Sequence, residues 1–382
     1  MNQKKKDQKN IDNRPLEEKI PEALSKTGFI LENTVADAFR KAKWGVISNR
    51  YYVDDVDGRA RELDLIVYKV KSGENVDVVT SLLISCKKDS EHVWAIMSRA
   101  RPTQDPNMDW DPVHSWTNNE VLDSYMVSTE WRNKYVSGND RLEKEIFSTS
   151  RQAFAFQLVT LDGESPKNDR PIFESLTDLM KALDHELSIL PKRMKKNRIY
   201  IFNLATVVDA PIYEVAYDEN PPVAKEITEF RHLARYIVRK AELAARIQIV
   251  SQKNLAALAS TYDELATFNS IYFNNLVSEA YTDVIRNPSV QSILGKRLTK
   301  AIRWKINRFL RDQSEPALGL KDQITISYNK SEKILVLNLP FEYDSADILN
   351  ADKDLMRDIS EDLKELIRYR GQFRFADDEI PF

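Results

Sequence analysis

Arg61-Glu62-Leu63-Asp64-Leu65-Ile66-Val67 and, beyond a turn at Lys71-Ser72-Gly73-Glu74-Asn75, Leu82-Leu83-Ile84-Ser85-Cys86-Lys87-Lys88 are the stretches whose reading decides the fold. Both runs are apolar and bounded by polar turn residues, so Arg61 to Val70 and Val76 to Lys87 are predicted strands. Strand alternation puts Asp64 on the face of Ile66 and Tyr68. It puts Ser85 with Lys87, opposite Ile84 and Cys86. A carboxylate inside such a run is costly unless a partner or a metal satisfies it; Arg61 or a lysine is the plain candidate partner. If the strands pair through the turn, Asp64 and the Ser85/Lys87 face converge. Upstream, Leu31, Val35, Ala38, Phe39 and Ala42 recur at helical spacing, with Glu32 at the edge of that apolar face. Trp44-Gly45-Val46 ends this helix, Val46 to Val53 is a third predicted strand, and Asp54-Asp55-Val56-Asp57-Gly58 is a turn by its residue types. The order is a helix and then a meander, and the helix can bring Glu32 over the strand ends.

Oxygen ligands on one or two carboxylates suit a magnesium ion that keeps most of its water. A neighbouring lysine can orient or deprotonate an attacking water and stabilise developing charge. Together these parts suit phosphodiester hydrolysis. The ordered set of helix Glu32, strand Asp64 32 residues later and strand Lys87 a further 23 residues on resembles the PD-(D/E)xK superfamily, the restriction-endonuclease-like nucleases. The similarity takes in His92-Val93-Trp94 and the strand and loop from Ile199 to Tyr213, and covers about residues 25 to 250. It implies an α/β fold with a restriction-endonuclease-like core, a mixed central sheet flanked by helices. It implies Asp64 as metal ligand, Lys87 as catalytic lysine, Glu32 as the helix carboxylate and the Cys86 carbonyl as a main-chain metal contact. The cofactor implied is Mg²⁺ or Mn²⁺, the substrate double-stranded DNA, and the setting defence against foreign DNA. The departure is Ser85, which stands where the family has Glu or Asp and would be a neutral, weak ligand. Either Glu32 or Glu62 makes up the missing charge, or the protein is a weak or inactive nuclease that binds nucleic acid or acts as a scaffold.

Further along, residues 99 to 140 carry Pro102, Pro106 and Pro112 with Trp110, Trp116 and Trp131, and read as a long insertion with short helices. Residues 143 to 160 and 172 to 190 are predicted helices. Arg198 to Thr206 is a buried strand, Ile212 to Tyr217 an extended piece, and His232 to Arg239 and Ala245 to Val250 are β-like. From Lys253 to Asp312 the pattern is helical, followed by strands at Gln323 to Tyr328 and Ile334 to Leu339 and an acidic helix at about 351 to 369. The organisation expected is a flexible arm over 1–24, the nuclease-like domain over 25–260, and over 261–382 a mainly helical C-terminal extension with a β-hairpin and an acidic tail.

The 382 residues are 42% hydrophobic and 30% charged, with 56 Lys and Arg against 59 Asp and Glu, a net charge of −3. This composition excludes a disordered chain and a uniformly basic coat protein. The balance is a cancellation, because bases cluster. Lys192, Arg193, Lys195, Lys196 and Arg198 form one group, and Lys296 to Arg311 holds Lys296, Arg297, Lys300, Arg303, Lys305, Arg308 and Arg311 with no acid. On a helical wheel all the latter but Lys305 fall around Trp304, opposite Leu298, Ile302, Ile306, Phe309 and Leu310. Nucleic acid is the partner this charge and aromatic content predicts, with Lys88, Lys192, Arg193, Lys195, Lys196, Arg297, Lys300, Arg303, Arg308 and Arg311 as phosphate contacts. A solvated face, or a homodimer or protein partner on the C-terminal helices, is the alternative. A single cysteine, Cys86, excludes a disulfide framework, and no apolar run is long enough to span a membrane, so a cytoplasmic location is expected. Gly295-Lys296 lacks the Ser or Thr of a phosphate loop, no Gly-x-Ser-x-Gly elbow is present, and Asp54, Asp55 and Asp57 lack the spacing of a calcium loop.

Overall fold

The computed structural model describes residues 14–25, 27–102, 111–193, 196–340 and 345–377. The chain begins α1 (Leu16–Ser25), α2 (Phe29–Lys41), β1 (Gly45–Val53), β2 (Ala60–Lys71), β3 (Asp77–Lys88) and β4 (His92–Ala100). It continues β5 (His114–Thr117), α3 (Glu120–Ser128), α4 (Trp131–Val136), α5 (Asp140–Leu142), β6 (Arg151–Thr160), β7 (Pro166–Lys167) and α6 (Arg170–Arg193). Next come β8 (Arg198–Asp209), β9 (Ile212–Ala216), β10 (Val223–Ile227), β11 (Glu229–Val238), β12 (Ala241–Ser251), α7 (Leu255–Thr282) and α8 (Pro288–Asp312). The last elements are β13 (Thr325–Asn329), β14 (Ile334–Leu339), α9 (Ser345–Ala351), α10 (Lys353–Leu366) and β15 (Phe373–Asp377).

The predicted meander is present, with β1, β2 and β3 antiparallel in succession. It continues into a mixed sheet ordered β1-β2-β3-β8-β12-β11. β8 runs parallel to β3 along its whole length, parallel to β12 in its second half, and antiparallel to β5 in its first. The central position of β8 explains its run of large apolar residues, since both faces are covered. Leu82, Ile84, Cys86, Ile199, Ile201, Ala205 and Val207 pack towards α2 and α7. Leu83, Phe202, Leu204, Val208, Ile247 and Ile249 pack towards α6.

A second, five-stranded sheet ordered β10-β9-β4-β6-β7 adds Trp94, Ile96, Ala153 and Leu158 to the α6 side. The helix predicted over 143–160 is here a correction: Glu143–Phe147 is one π-helical segment and Arg151–Thr160 is β6, paired with β4 from His92–Thr160 to Ala100–Arg151. The β-formers Phe154, Phe156 and Val159, together with an available edge of β4, override the helical reading. The predicted insertion contains β5, α3 and α4, while residues 103–110 lie outside the described set. Of the segment read as a flexible arm, Leu16–Ser25 is helical and residues 1–13 lie outside the described set.

The division drawn at residue 260 falls inside α7. Asn269 of α7 accepts a hydrogen bond from the Tyr135 hydroxyl at 2.7 Å and donates one to Thr80 Oγ1 on β3 at 2.8 Å. One buried cluster runs without a break from Leu31 through α7 and α8 to Phe375, including the three-stranded sheet β13-β14-β15. The expected hairpin is β13 and β14, to which β15 adds in parallel. No helix among the described residues is long and apolar enough to cross a membrane.

Candidate active site

The alternation in β2 breaks at Asp64: Leu63 belongs to the α6-side core and Leu65 to the α2-side core. Pairing of β2 with β3 stops at Leu65–Ile84, and the partner position in β1, Asn49, has φ 56°. β2 therefore leaves β3 just where the sequence puts the carboxylate, and Asp64 is not a regular member of the Ile66/Tyr68 face. The ladder bond that the departing backbone would have supplied is replaced by the side chain, as Cys86 N–H donates to Asp64 Oδ2 at 2.6 Å. A strand residue directs its N–H and C=O to the same side. The Cys86 carbonyl thus faces the same gap.

Glu32 lies in the first turn of α2, where the helix dipole favours an acid. Leu31, Val35, Ala36 and Phe39 seat that helix in the core. Burial raises the pKa of Glu32, and the charges of Asp64 and Glu62 raise it further, opposed by Lys87. Burial also raises Asp64, against the lowering effects of the Cys86 N–H, Lys87 and the Ser85 side chain. Glu32, Asp64 and Lys87, far apart in the chain, are thus close enough to act on one another electrostatically. Arg61, the plain candidate partner of Asp64, instead pairs with Asp57 at 2.9 Å and Asp54 at 3.5 Å.

Lys87 is half-buried, and its ammonium makes no hydrogen bond or ion pair with any described residue. Ser85 is 5% exposed. Cys86 points the other way into the α2-side core, and burial pushes its thiol well up, which keeps it a neutral core residue.

Sequence reasoning missed a further carboxylate. Asp178, on α6, accepts a hydrogen bond from the Tyr52 hydroxyl at 3.0 Å. Burial raises its pKa, while that bond and Lys87 lower it. Only its position on the buried edge of an amphipathic helix hinted at this, and nothing in the sequence connects α6 to the end of β3. Beside it, buried Asp54 accepts from Lys181 at 2.9 Å and from the Val56 and Asp57 N–H groups, so the three-aspartate turn is held as a turn.

The remaining predicted contacts divide. Lys88 donates to the Ser25 carbonyl and sits 3.8 Å from Asp209. Lys192 and Lys196 are exposed, the side chain of Arg193 and all of Lys195 lie outside the described set, and Arg198 faces Asp77 at 3.6 Å. Arg297 pairs with Glu120 at 3.2 Å, and Arg303 donates to the Leu320 and Asp322 carbonyls at 3.0 and 2.8 Å. Lys300, Arg308 and Arg311 are exposed.

Among the described residues no group of three or more His, Cys, Asp or Glu side chains gathers closely enough to hold a metal ion. A groove of about 1050 Å³ lies between α2 and α7, lined by Asp37, Lys41 and Asp263, and excludes Glu32, Asp64 and Lys87. No family model, curated protein or solved structure matches this chain.

Proposed function

We propose that the protein is a metal-dependent nuclease with a restriction-endonuclease-like core, cutting phosphodiester bonds in DNA at the end of β3. The observation that carries the reading is the unpaired, half-buried ammonium of Lys87 beside the carboxylates of Asp64 and Glu32. A lysine left without a partner amid acids is a poor structural device, because burial of its charge is only partly compensated. It suits a group that meets an anionic substrate.

The donors fit a magnesium or manganese ion: two carboxylates whose charge burial and neighbouring acids already disfavour, the Cys86 carbonyl directed into the same gap, and the Ser85 hydroxyl. Such ions need only one or two protein carboxylates and keep several waters. When bound, the ion would supply charge stabilisation to the phosphate and acidify a water. Lys87 would orient the attacking water and stabilise the charge growing on the phosphate oxygens. Glu32 and Asp64 would exclude competing anions by repulsion until the cation is present.

The test is incubation of the purified chain with plasmid DNA and Mg²⁺ or Mn²⁺, beside Asp64→Ala and Lys87→Ala. Cleavage is expected only from the natural chain; cleavage that persists in both variants sinks the assignment. The neutral Ser85 favours a second reading, a nucleic-acid-binding protein with a silent site. DNA retention without cleavage in either metal would select it.

A further inference from the structure

The seven bases of α8 fall into two sets. Arg297, Arg303 and Lys305 are half-buried and committed, to Glu120, to the Leu320 and Asp322 carbonyls, and to Asp362 at 2.6 Å. Lys296, Lys300, Arg308 and Arg311 are exposed and make no hydrogen bond or ion pair with any described residue. They follow one another at intervals of four, eight and three residues, and Trp304, 61% exposed, fills the middle of the longest gap. This spacing places all five on one stripe. The opposite side, Leu294, Leu298, Ile302, Ile306 and Leu310, is fully buried, so the stripe is the outward face of a fixed helix. At the rise of an α-helix it is about 22 Å long. The only acid in α8 is Asp312, its last residue.

A solvated helix face is normally of mixed charge, because like charges three or four residues apart repel. Four exposed cations on one face, with no acid among the described residues paired to them, are complementary to a polyanion, which gains entropy by releasing its counterions on binding. The flat indole exposed among them decides which one. An aromatic ring stacks on the face of a base, and in a duplex those faces are already covered by neighbouring pairs, whereas a single strand offers them.

We propose that this stripe binds single-stranded nucleic acid, its phosphates on Lys296, Lys300, Arg308 and Arg311 and an unpaired base on Trp304. The proposal does not depend on the site at β3, and binding is read without metal.

The experiment uses the full chain in EDTA with a labelled oligothymidylate of about twelve nucleotides, within the usual site size of such surfaces, a duplex of equal length and a polyglutamate of equal charge. Affinity is measured by anisotropy over a range of salt. The single strand is expected to bind more tightly than both competitors, with a slope of log affinity on log salt of about −3 for four neutralised phosphates. Trp304→Ala should weaken it roughly tenfold or more and leave the salt slope unchanged, with Trp304→Phe restoring most of the loss. The double variant Lys300→Ala/Arg308→Ala should lower the slope by about half. Circular dichroism confirms that these exposed substitutions leave the fold intact. Equal binding by Trp304→Ala and the natural chain overturns the proposal, as does tighter binding of the duplex or equal competition by polyglutamate.

Discussion

Protonation of His232 should weaken the docking of the second sheet on the central one. His232 sits on β11 opposite Ile247, with the Phe156 ring of β6 edge-on at 5.0 Å between ring centroids, and its Nδ1 is buried without a partner. Desolvation drives its pKa from the ordinary 6.5 down to about 4. The depressed folded value means the unfolded chain binds the proton more readily. The associated stability is therefore complete above pH 6.5 and is lost as pH falls towards 4. From these two values the loss is about 2 kcal/mol by pH 5 and about 3 kcal/mol by pH 4. Glu32, Asp64 and Asp178 act in the opposite sense, since their raised values make folding more favourable on acidification. The informative quantity is consequently a difference. Urea unfolding of the natural chain and of His232→Leu, each at pH 7.5 and pH 5, should show the natural chain losing about 2 kcal/mol more than the variant. Parallel pH dependence in the two chains would refute the reasoning, because it would mean that the imidazole is hydrated or partnered when folded.

Asp64→Asn keeps an oxygen for the Cys86 N–H, whereas Asp64→Ala leaves that donor unpaired; urea unfolding should find Ala less stable than Asn by about 1–3 kcal/mol, with both inactive in the plasmid assay. Asp178→Asn removes the charge facing Lys87 from α6, and on the proposed nuclease reading should lower kcat about tenfold with KM unchanged; an unchanged kcat would leave Lys87 oriented by Asp64 and Glu32 alone. Asn269→Leu strands the Tyr135 hydroxyl and Thr80 Oγ1 in the core. Thermal and urea melts should register a loss of about 2–4 kcal/mol, and a loss under 1 kcal/mol would show that the helix α7 is held to β3 by apolar packing alone.

The sequence was most readable where one element's own residues decide its state. Alternation and turn chemistry located β1, β2 and β3, and helical spacing located α2, because each presents its pattern over a single continuous run. The central strand β8 was legible for the opposite reason, having no polar face at all. The second sheet was not. β6 carries buried Ala153 and Leu158 five residues apart, a spacing that neither periodicity explains, and its state is set by pairing with β4 across a bulge at Met97/Ser98. At the site, Asp64 was legible as a carboxylate inside an apolar strand and Lys87 as a lysine at the end of one. The break in alternation that turns Asp64 towards Cys86 was not, since it falls where β2 leaves β3 and opposite Asn49, at φ 56°, in another strand. Likewise the helix predicted around Trp304 was correct, but which of its bases are free depends on Glu120, Asp362 and the carbonyls of a loop distant in sequence.

The residue type at position 85 follows from the same long-range charges. Ser85 and Lys87 share the face of β3 that carries Leu83 towards α6, and Lys87 acts on Asp178 of α6 as well as on Asp64 and Glu32. The carboxylates of Glu32, Asp64 and Asp178 already have raised pKa values from burial, and Lys87 is the cation that acts on all three. A further acid at a position only 5% exposed would add another desolvated negative charge beside these three. A hydroxyl at 85 favours the ionised Asp64 without that cost. On the proposed reading, the missing acid of the motif is therefore not a simple loss of function. On that reading Asp178 would carry the negative charge that faces Lys87 from α6, and the pair Glu32 and Asp64 would suit one ion rather than two.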